Sequence, residues 1–261
     1  METVAFYPDP INQNQTFGDP KGHFRWGLEY YKLAKTVFPA SSMPHFLEGS
    51  DYSALNASFC ARRGIIARIV PTMYDSFVST AEPMLVRLLA YRQFRLALRT
   101  QPPSRLSVFF LNRNGGSRGI RNVEEIIEYM QKANETELNI SSNSPATFED
   151  QVRSVAHIDV YVSMHGAAMT NILFMEPLSA LIEMNPPKFK EAFYRNMASK
   201  ANLLFYGIYS TYTENMEYSM REQSTAKILN QWITVPLRLF GKTFDLATKN
   251  VWKYKYRMCD Y

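Results

Sequence analysis

Hydrophobic residues in the middle of this chain come in short unbroken runs rather than in strict alternation. Leu106-Ser107-Val108-Phe109-Phe110-Leu111, Ile158-Asp159-Val160-Tyr161-Val162-Ser163 and Ala180-Leu181-Ile182-Glu183-Met184 are apolar on both faces. A strand of that kind is covered on both sides, the condition of a parallel sheet in an α/β layer structure. Between the runs the apolar spacing becomes helical. It predicts helices over 82–99, 122–133, 148–156, 167–174 and 188–200, with a further helix at 24–38 and a strand at 64–70. The alternation makes the fold class α/β.

Only residues 103–210 hold enough alternating elements for a complete doubly wound, Rossmann-like unit. Residues 1–102 have too few strands to close such a unit alone, and Pro102-Pro103-Ser104 reads as a hinge. Residues 134–147 are polar and read as a surface loop around a short strand, while residues 211–261 mix helix-forming runs with aromatics. No repeat or low-complexity tract is present.

Composition narrows the class. With 261 residues, 46% of them hydrophobic and 20% charged, the chain can bury one large core or two small ones, which excludes wholesale disorder. A net charge of +5 tilts it weakly toward anionic ligands. Residues 250–257 interleave cations with aromatics, yet no larger basic patch surrounds them, so a solvated face is favoured and no nucleic-acid partner is expected. Cys60 and Cys259 are too few for a disulfide framework or a metal site, and no Asp-x-Asp metal motif occurs.

Candidate chemistry concentrates at two strand ends. In Ser163-Met164-His165-Gly166-Ala167-Ala168-Met169-Thr170-Asn171, a strand runs through a glycine turn into a helix start. Gly166 lets backbone approach a ligand, the amides of Ala167 to Thr170 favour an anion, and His165 lies where open α/β sheets bind ligands. In the other segment, Arg113 and Arg118 flank Gly115-Gly116 just after the strand 106–111, and guanidinium forks match phosphate oxygens. Asn122 is placed to cap the next helix, with Glu125 three residues on as in a capping box. A lone strand-to-helix turn or a solvated basic loop accounts for either segment separately. The missing Gly-x-Gly-x-x-Gly speaks against a dinucleotide-type Rossmann protein.

Together and in this order the two segments resemble glycosyltransferase family 61. The resemblance covers about Phe59 to Tyr206 and is strongest over Leu106 to Met184. Its carriers are Asn112-Arg113-Asn114, Arg118, Arg121-Asn122 and Glu125, then His165-Gly166-Ala167, Met169-Thr170-Asn171-Ile172-Leu173-Phe174 and Leu181-Ile182-Glu183. Asn112 and Asn114 stand where many members carry serine, and Ala168 where glycine is common. Phe59-Cys60-Ala61-Arg62-Arg63-Gly64-Ile65-Ile66 is similar to an upstream family segment, with its aromatic on the other side of the cysteine.

The resemblance implies a GT-B-like arrangement: one complete Rossmann-like donor-binding domain at 103–210, an incomplete acceptor-side domain at 1–102, and a C-terminal segment, 211–261, packing back on the first. It implies an inverting transfer of a sugar, N-acetylglucosamine or a pentose such as xylose, from a UDP-sugar to a hydroxyl of a glycoprotein or polysaccharide. No cofactor is required beyond the donor substrate. Donor-site residues are then Arg113, Arg118, Asn122, His165, Gly166, Ala167, Thr170, Asn171 and Glu183, with the arginines on the diphosphate and Glu183 placed for ribose hydroxyls. The general base stays open among His45, Asp51, Asp75 and Glu82. The alternative is a non-catalytic UDP-sugar-binding fragment or paralogue, which sugar transfer would separate from the enzyme.

Family resemblance and the sequons at Asn14, Asn56, Asn134 and Asn139 point to a secretory-pathway lumen, endoplasmic reticulum or Golgi. Residues 1–8 lack a signal-like apolar core, and no run of about 18 apolar residues occurs. The expected membrane link is therefore an N-terminal anchor that this sequence does not include.

Overall fold

The three runs that are apolar on both faces assemble, with two further strands, into one parallel sheet. The computed structural model describes residues 4–6, 33, 36, 45–47, 77, 79–113, 118–187, 189, 191–210 and 232–256. The strand expected at 64–70, the segment 59–66, the Gly115-Gly116 turn, Asp51, Asp75, the two cysteines and the sequons at Asn14 and Asn56 lie outside those residues, as does all of the helix expected at 24–38 except Leu33 and Thr36. The chain forms two units, Met1–Val70 and Pro71–Tyr261. In the first, β1 (Val4–Phe6) pairs in parallel with β2 (His45–Leu47), Val4 opposite His45.

In the second, the sheet comprises β3 (Leu106–Leu111), β5 (Thr136–Ser141), β6 (Val160–Met164), β7 (Ala180–Asn185) and β8 (Leu204–Tyr209) in the order β5-β3-β6-β7-β8. Numbered by their place in the chain the strands lie 2-1-3-4-5, so the winding reverses between β3 and β6. Crossovers then lie on opposite faces, and the loops leaving those two strands diverge around a crevice at their C-terminal ends. The register sets Leu111 opposite Ser163, and Ser163 opposite Glu183. A two-stranded parallel pair, β4 (Gly119–Ile120) with β9 (Trp232–Ile233), stands apart from this sheet.

One face carries α2 (Val123–Gln131) and α5 (Leu237–Val251), whose Ile126, Met130, Phe240, Phe244 and Ala247 join Val108, Phe110, Val160, Val162 and Ile182 in the main core. The C-terminal segment thus lays its apolar stripe on the sheet of its own unit. Gly241 permits this, because a Cβ there would strike the Tyr129 ring 2.6 Å away.

The other face is covered by α1 (Ala81–Gln93), α3 (Phe148–Ala156), α4 (Phe193–Lys200) and a 3-10 helix, Ala167–Phe174. Although it precedes Pro102-Pro103, α1 is part of this unit: Arg87 donates to the carbonyls of Leu173 and Ala201, and the Tyr91 hydroxyl lies 2.6 and 2.9 Å from those of Ala156 and Phe174.

Several elements differ from expectation. The run 167–174 winds as 3-10 rather than α-helix, burying Met169, Asn171, Ile172, Leu173 and Phe174. The short strand expected within the polar stretch 134–147 is present and runs six residues, as the edge strand β5, held by six register pairs with β3. Strand β8 was not signalled. The helix expected over 82–99 stops at Gln93, with Arg95 at φ 54° turning the chain, and the one expected from residue 188 starts only at Phe193.

Charge is buried at the N-terminal end of β6. Asp159, fully buried, pairs with Arg99 at 2.9 Å and Lys255 at 2.7 Å, and accepts hydrogen bonds from the Tyr256 hydroxyl and the Ser107 amide. Lys255 also reaches Glu176 at 3.1 Å. These contacts fasten the π-turn Trp252–Tyr256 after α5 to the sheet and to the segment after α1. Burial alone would raise the Asp159 pKa. The Lys255 charge and the hydrogen bonds from Lys255, Tyr256 and the Ser107 amide outweigh it and hold the pKa below the ordinary aspartate value.

Because the folded pKa is depressed, the stabilisation is present above the unfolded value of about 3.9 and is lost as pH falls through the lower folded value. Asp159→Asn, which leaves Arg99 without its carboxylate and Lys255 with Glu176 alone, should lower unfolding free energy by about 3 kcal/mol at pH 7. In denaturant titrations its difference from wild type should narrow below pH ~4.

Candidate functional site

The register of β3 on β6 carries two loops out of the sheet side by side. Leu111 is opposite Ser163, so two residues further on Arg113 leaves β3 level with His165 leaving β6. Both guanidiniums converge on Gly166. A Cβ built there would collide with the Arg113 guanidinium and lie 3.4 Å from Nη1 of Arg118. The backbone φ of Gly166 is 169°, an extended value open to any residue, so glycine is needed for the close approach and not for its conformation.

Arg118 is held by its own hydrogen bond, Nη1 donating to the His165 carbonyl at 2.8 Å. Desolvation by burial lowers the Arg118 pKa, and the neighbouring Arg113 charge lowers it further. The two cations are thus packed together, partly buried, where the loops after β3 and β6 leave the sheet.

His165 sits behind them. Its Nδ1 lies 2.6 Å from Oε1 of Glu183, with side chains 9% and 2% exposed. The ring is wedged by Phe189, centroid 4.5 Å away, and Tyr194, 4.9 Å away. Its Nε2 is 4.0 Å from the carboxylate of Glu191, which is 30% exposed. The Tyr194 hydroxyl donates to the Gly166 carbonyl at 2.8 Å and is hydrogen-bonded to Thr170. Burial pushes that phenol up to about 12, so it remains a donor at neutral pH and pins the turn.

The structure therefore gathers Arg113, Arg118, His165, Gly166, Thr170 and Glu183, with Ala167 exposed beside them. It does not bring the remaining two predicted residues there. Asn122 occupies the N-cap position of α2 but makes no cap hydrogen bond with its side chain. Instead its amide clamps Val235, donating to the carbonyl at 2.9 Å and accepting from the N–H at 3.0 Å, which locks β9 against β4. Asn171 is buried and donates to Gln151 of α3 at 3.2 Å.

Among the residues considered for proton acceptance, the Glu82 carboxylate accepts the Ser79 amide at 3.2 Å at the start of α1, and His45 lies in β2. Phe189, Glu191 and Tyr194 carried no signal in sequence. They follow a proline pair, Pro186-Pro187, in a polar and aromatic stretch without a motif. Among the described residues no cluster of His, Cys, Asp and Glu is arranged to hold a metal ion, and no helix is long and apolar enough to cross a membrane.

A parallel α/β sheet whose strand order reverses in this way is Rossmann-like. The model of glycosyltransferase family 61 matches residues 18–182, and the chain belongs to that family. It is a glycosyltransferase by family, acting between a nucleotide-sugar donor and an acceptor. No curated protein matches the sequence.

Gly166→Ala tests the close approach directly. The fold should persist, while the added methyl displaces the Arg113 guanidinium and weakens binding of inorganic pyrophosphate about tenfold, or ~1.4 kcal/mol, by calorimetry. Unchanged affinity would detach Arg113 from anion binding.

Proposed function

We propose that this unit is the donor half of an inverting glycosyltransferase of GT-B type that moves a sugar, N-acetylglucosamine or a pentose such as xylose, from a UDP-sugar to a hydroxyl of a glycoprotein or polysaccharide in the secretory-pathway lumen. The single observation that carries the reading is the convergence of Arg113 and Arg118 on Gly166 at the reversal point of the sheet. Departure of a nucleoside diphosphate places growing negative charge on the leaving oxygen, and donors fixed before the reaction stabilise that charge without reorganising. In this reading the guanidiniums meet the diphosphate oxygens, Gly166 lets the diphosphate lie against the backbone, and the Tyr194–Gly166 hydrogen bond keeps the turn rigid.

Two cations on the diphosphate do the work that a divalent ion does in other transferases, so no metal is required. Sugar transfer, or release of UDP from UDP-N-acetylglucosamine or UDP-xylose, should survive EDTA at its untreated rate. An EDTA-sensitive reaction restored by Mg²⁺ or Mn²⁺ would remove the arginines from that role.

Titration with UDP tests the site itself. Arg118→Ala should weaken UDP binding by on the order of 2 kcal/mol, about thirtyfold, because one charge-assisted contact is lost from a half-buried site. Loss of the His165 carbonyl partner is common to any reading of Arg118, so binding is compared at matched folded fraction. Equal affinity in wild type and variant defeats the assignment.

A further inference from the structure

We propose that Nε2 of His165 is the proton acceptor for the incoming hydroxyl, and that Glu183 is a positioning residue that acts through it. The inference rests on the donor reading above and assigns the step which that reading leaves open. A neutral imidazole carries one N–H, and an ionised carboxylate only accepts. With Oε1 of Glu183 2.6 Å from Nδ1, the proton sits on Nδ1 and the lone pair on Nε2. The ring cannot turn over to exchange its nitrogens, because Phe189 and Tyr194 pack against it. Nε2 faces the Glu191 carboxylate, the most exposed of the three acid–base groups gathered here.

Glu183 has its carboxylate on the inner nitrogen and Glu191 stands 4.0 Å from the outer one, so an imidazolium formed during reaction meets negative charge on both sides. An oxygen 2.8 Å from both Nε2 and the Glu191 carboxylate would subtend about 90° at that spacing, within reach of a hydroxyl that gives its proton to Nε2. The charged and titratable groups facing this ring are Glu183 of β7, Glu191 ahead of α4, Tyr194 of α4, Arg118 on the His165 carbonyl and Arg113 over Gly166.

In the step, the acceptor oxygen forms a bond to the anomeric carbon as its proton passes to Nε2. The bond from that carbon to the diphosphate oxygen breaks, and its electron pair leaves with the diphosphate toward Arg113 and Arg118. Glu183 gains no proton; it fixes the tautomer and balances the imidazolium, as the buried acid does behind the histidine of a hydrolase triad.

The test combines a readout that needs no ligand with two that do. In ¹⁵N-histidine NMR of the full chain, neutral His165 should show protonated Nδ1 and bare Nε2, and Glu183→Gln should shift that balance toward the other tautomer. Glu183→Gln should bind UDP within about twofold of wild type yet lower kcat for UDP release from UDP-N-acetylglucosamine or UDP-xylose at least about tenfold, with KM little changed and partial recovery in Glu183→Asp. The acidic limb of its kcat/KM profile should move to lower pH. Wild type with bare Nδ1, parallel loss of UDP affinity and turnover in Glu183→Gln, an unmoved acidic limb, or dependence on Glu191→Gln alone each overturns the proposal. A chain that binds UDP but releases none from either donor overturns the proton-acceptor role as well. Failure of wild type to bind UDP counts against the donor reading, and the tautomer still decides whether Glu183 governs His165.

Discussion

The pairing of β3 with β6 in parallel, Leu111 opposite Ser163, decides which side chains meet at the end of the sheet. Side chains alternate along a strand, so a shift of one residue would exchange the sets of β3 that face the two helical layers and aim the residue after it at the opposite layer. In the observed register Arg113 and His165 leave their strands level with each other, at the one place where the crossovers diverge. The glycine turn, the arginine pair and the histidine behind them are consequences of that alignment. What enforces it is apolar: Val108, Phe110, Val160 and Val162 are all fully buried in the layer beneath α2 and α5, and no slipped register keeps them there.

The two ends of the same strand have opposite electrostatic characters. At the N-terminal end of β6, Asp159 is matched by Arg99 and Lys255, and every carboxylate oxygen has a hydrogen-bonded cation or hydroxyl. That arrangement satisfies itself and needs no ligand. At the C-terminal end, like charges are brought together, Arg113 beside Arg118, with desolvation working against the second. Helix α5 packs on the same sheet, and the π-turn after it carries Lys255 and Tyr256 to Asp159.

Much of this was legible in the order of residues. The strand 106–111 and the helix 148–156 appear with the bounds expected, the first because an apolar run between turn signals has few alternatives, the second because Thr147 and Asp150 form a reciprocal cap. The arginine and histidine segments were found from chemistry alone, and the structure joins them. Three things were hidden. The 3-10 winding of 167–174 is one, since an apolar run of that length fits an α-helix as well. Asn122 has the right residue type and spacing for a cap, yet its partner Val235 is more than a hundred positions away, and no local pattern reports it. The Glu183 carboxylate reads in sequence as a strand-end acid free to reach a ribose, whereas folding places it against a histidine 18 residues earlier.

That last relation shows why the acid–base part of the site was the least legible. An arginine meant for phosphate must stay accessible and flanked by flexible backbone, which leaves a composition signature of Arg and Gly. A carboxylate that orients a histidine must instead be buried and occupy a strand position where any apolar residue would also fit. The only trace in the sequence is a charged residue in an otherwise apolar strand, Leu181-Ile182-Glu183-Met184. A buried carboxylate survives in such a place when a partner hydrogen-bonds it, since an isolated one would cost several kcal/mol. The charge within an apolar strand therefore implied a partner, and the facing register of β6 with β7 narrows that partner to the residues around Ser163, of which His165 alone carries a nitrogen that reaches Glu183.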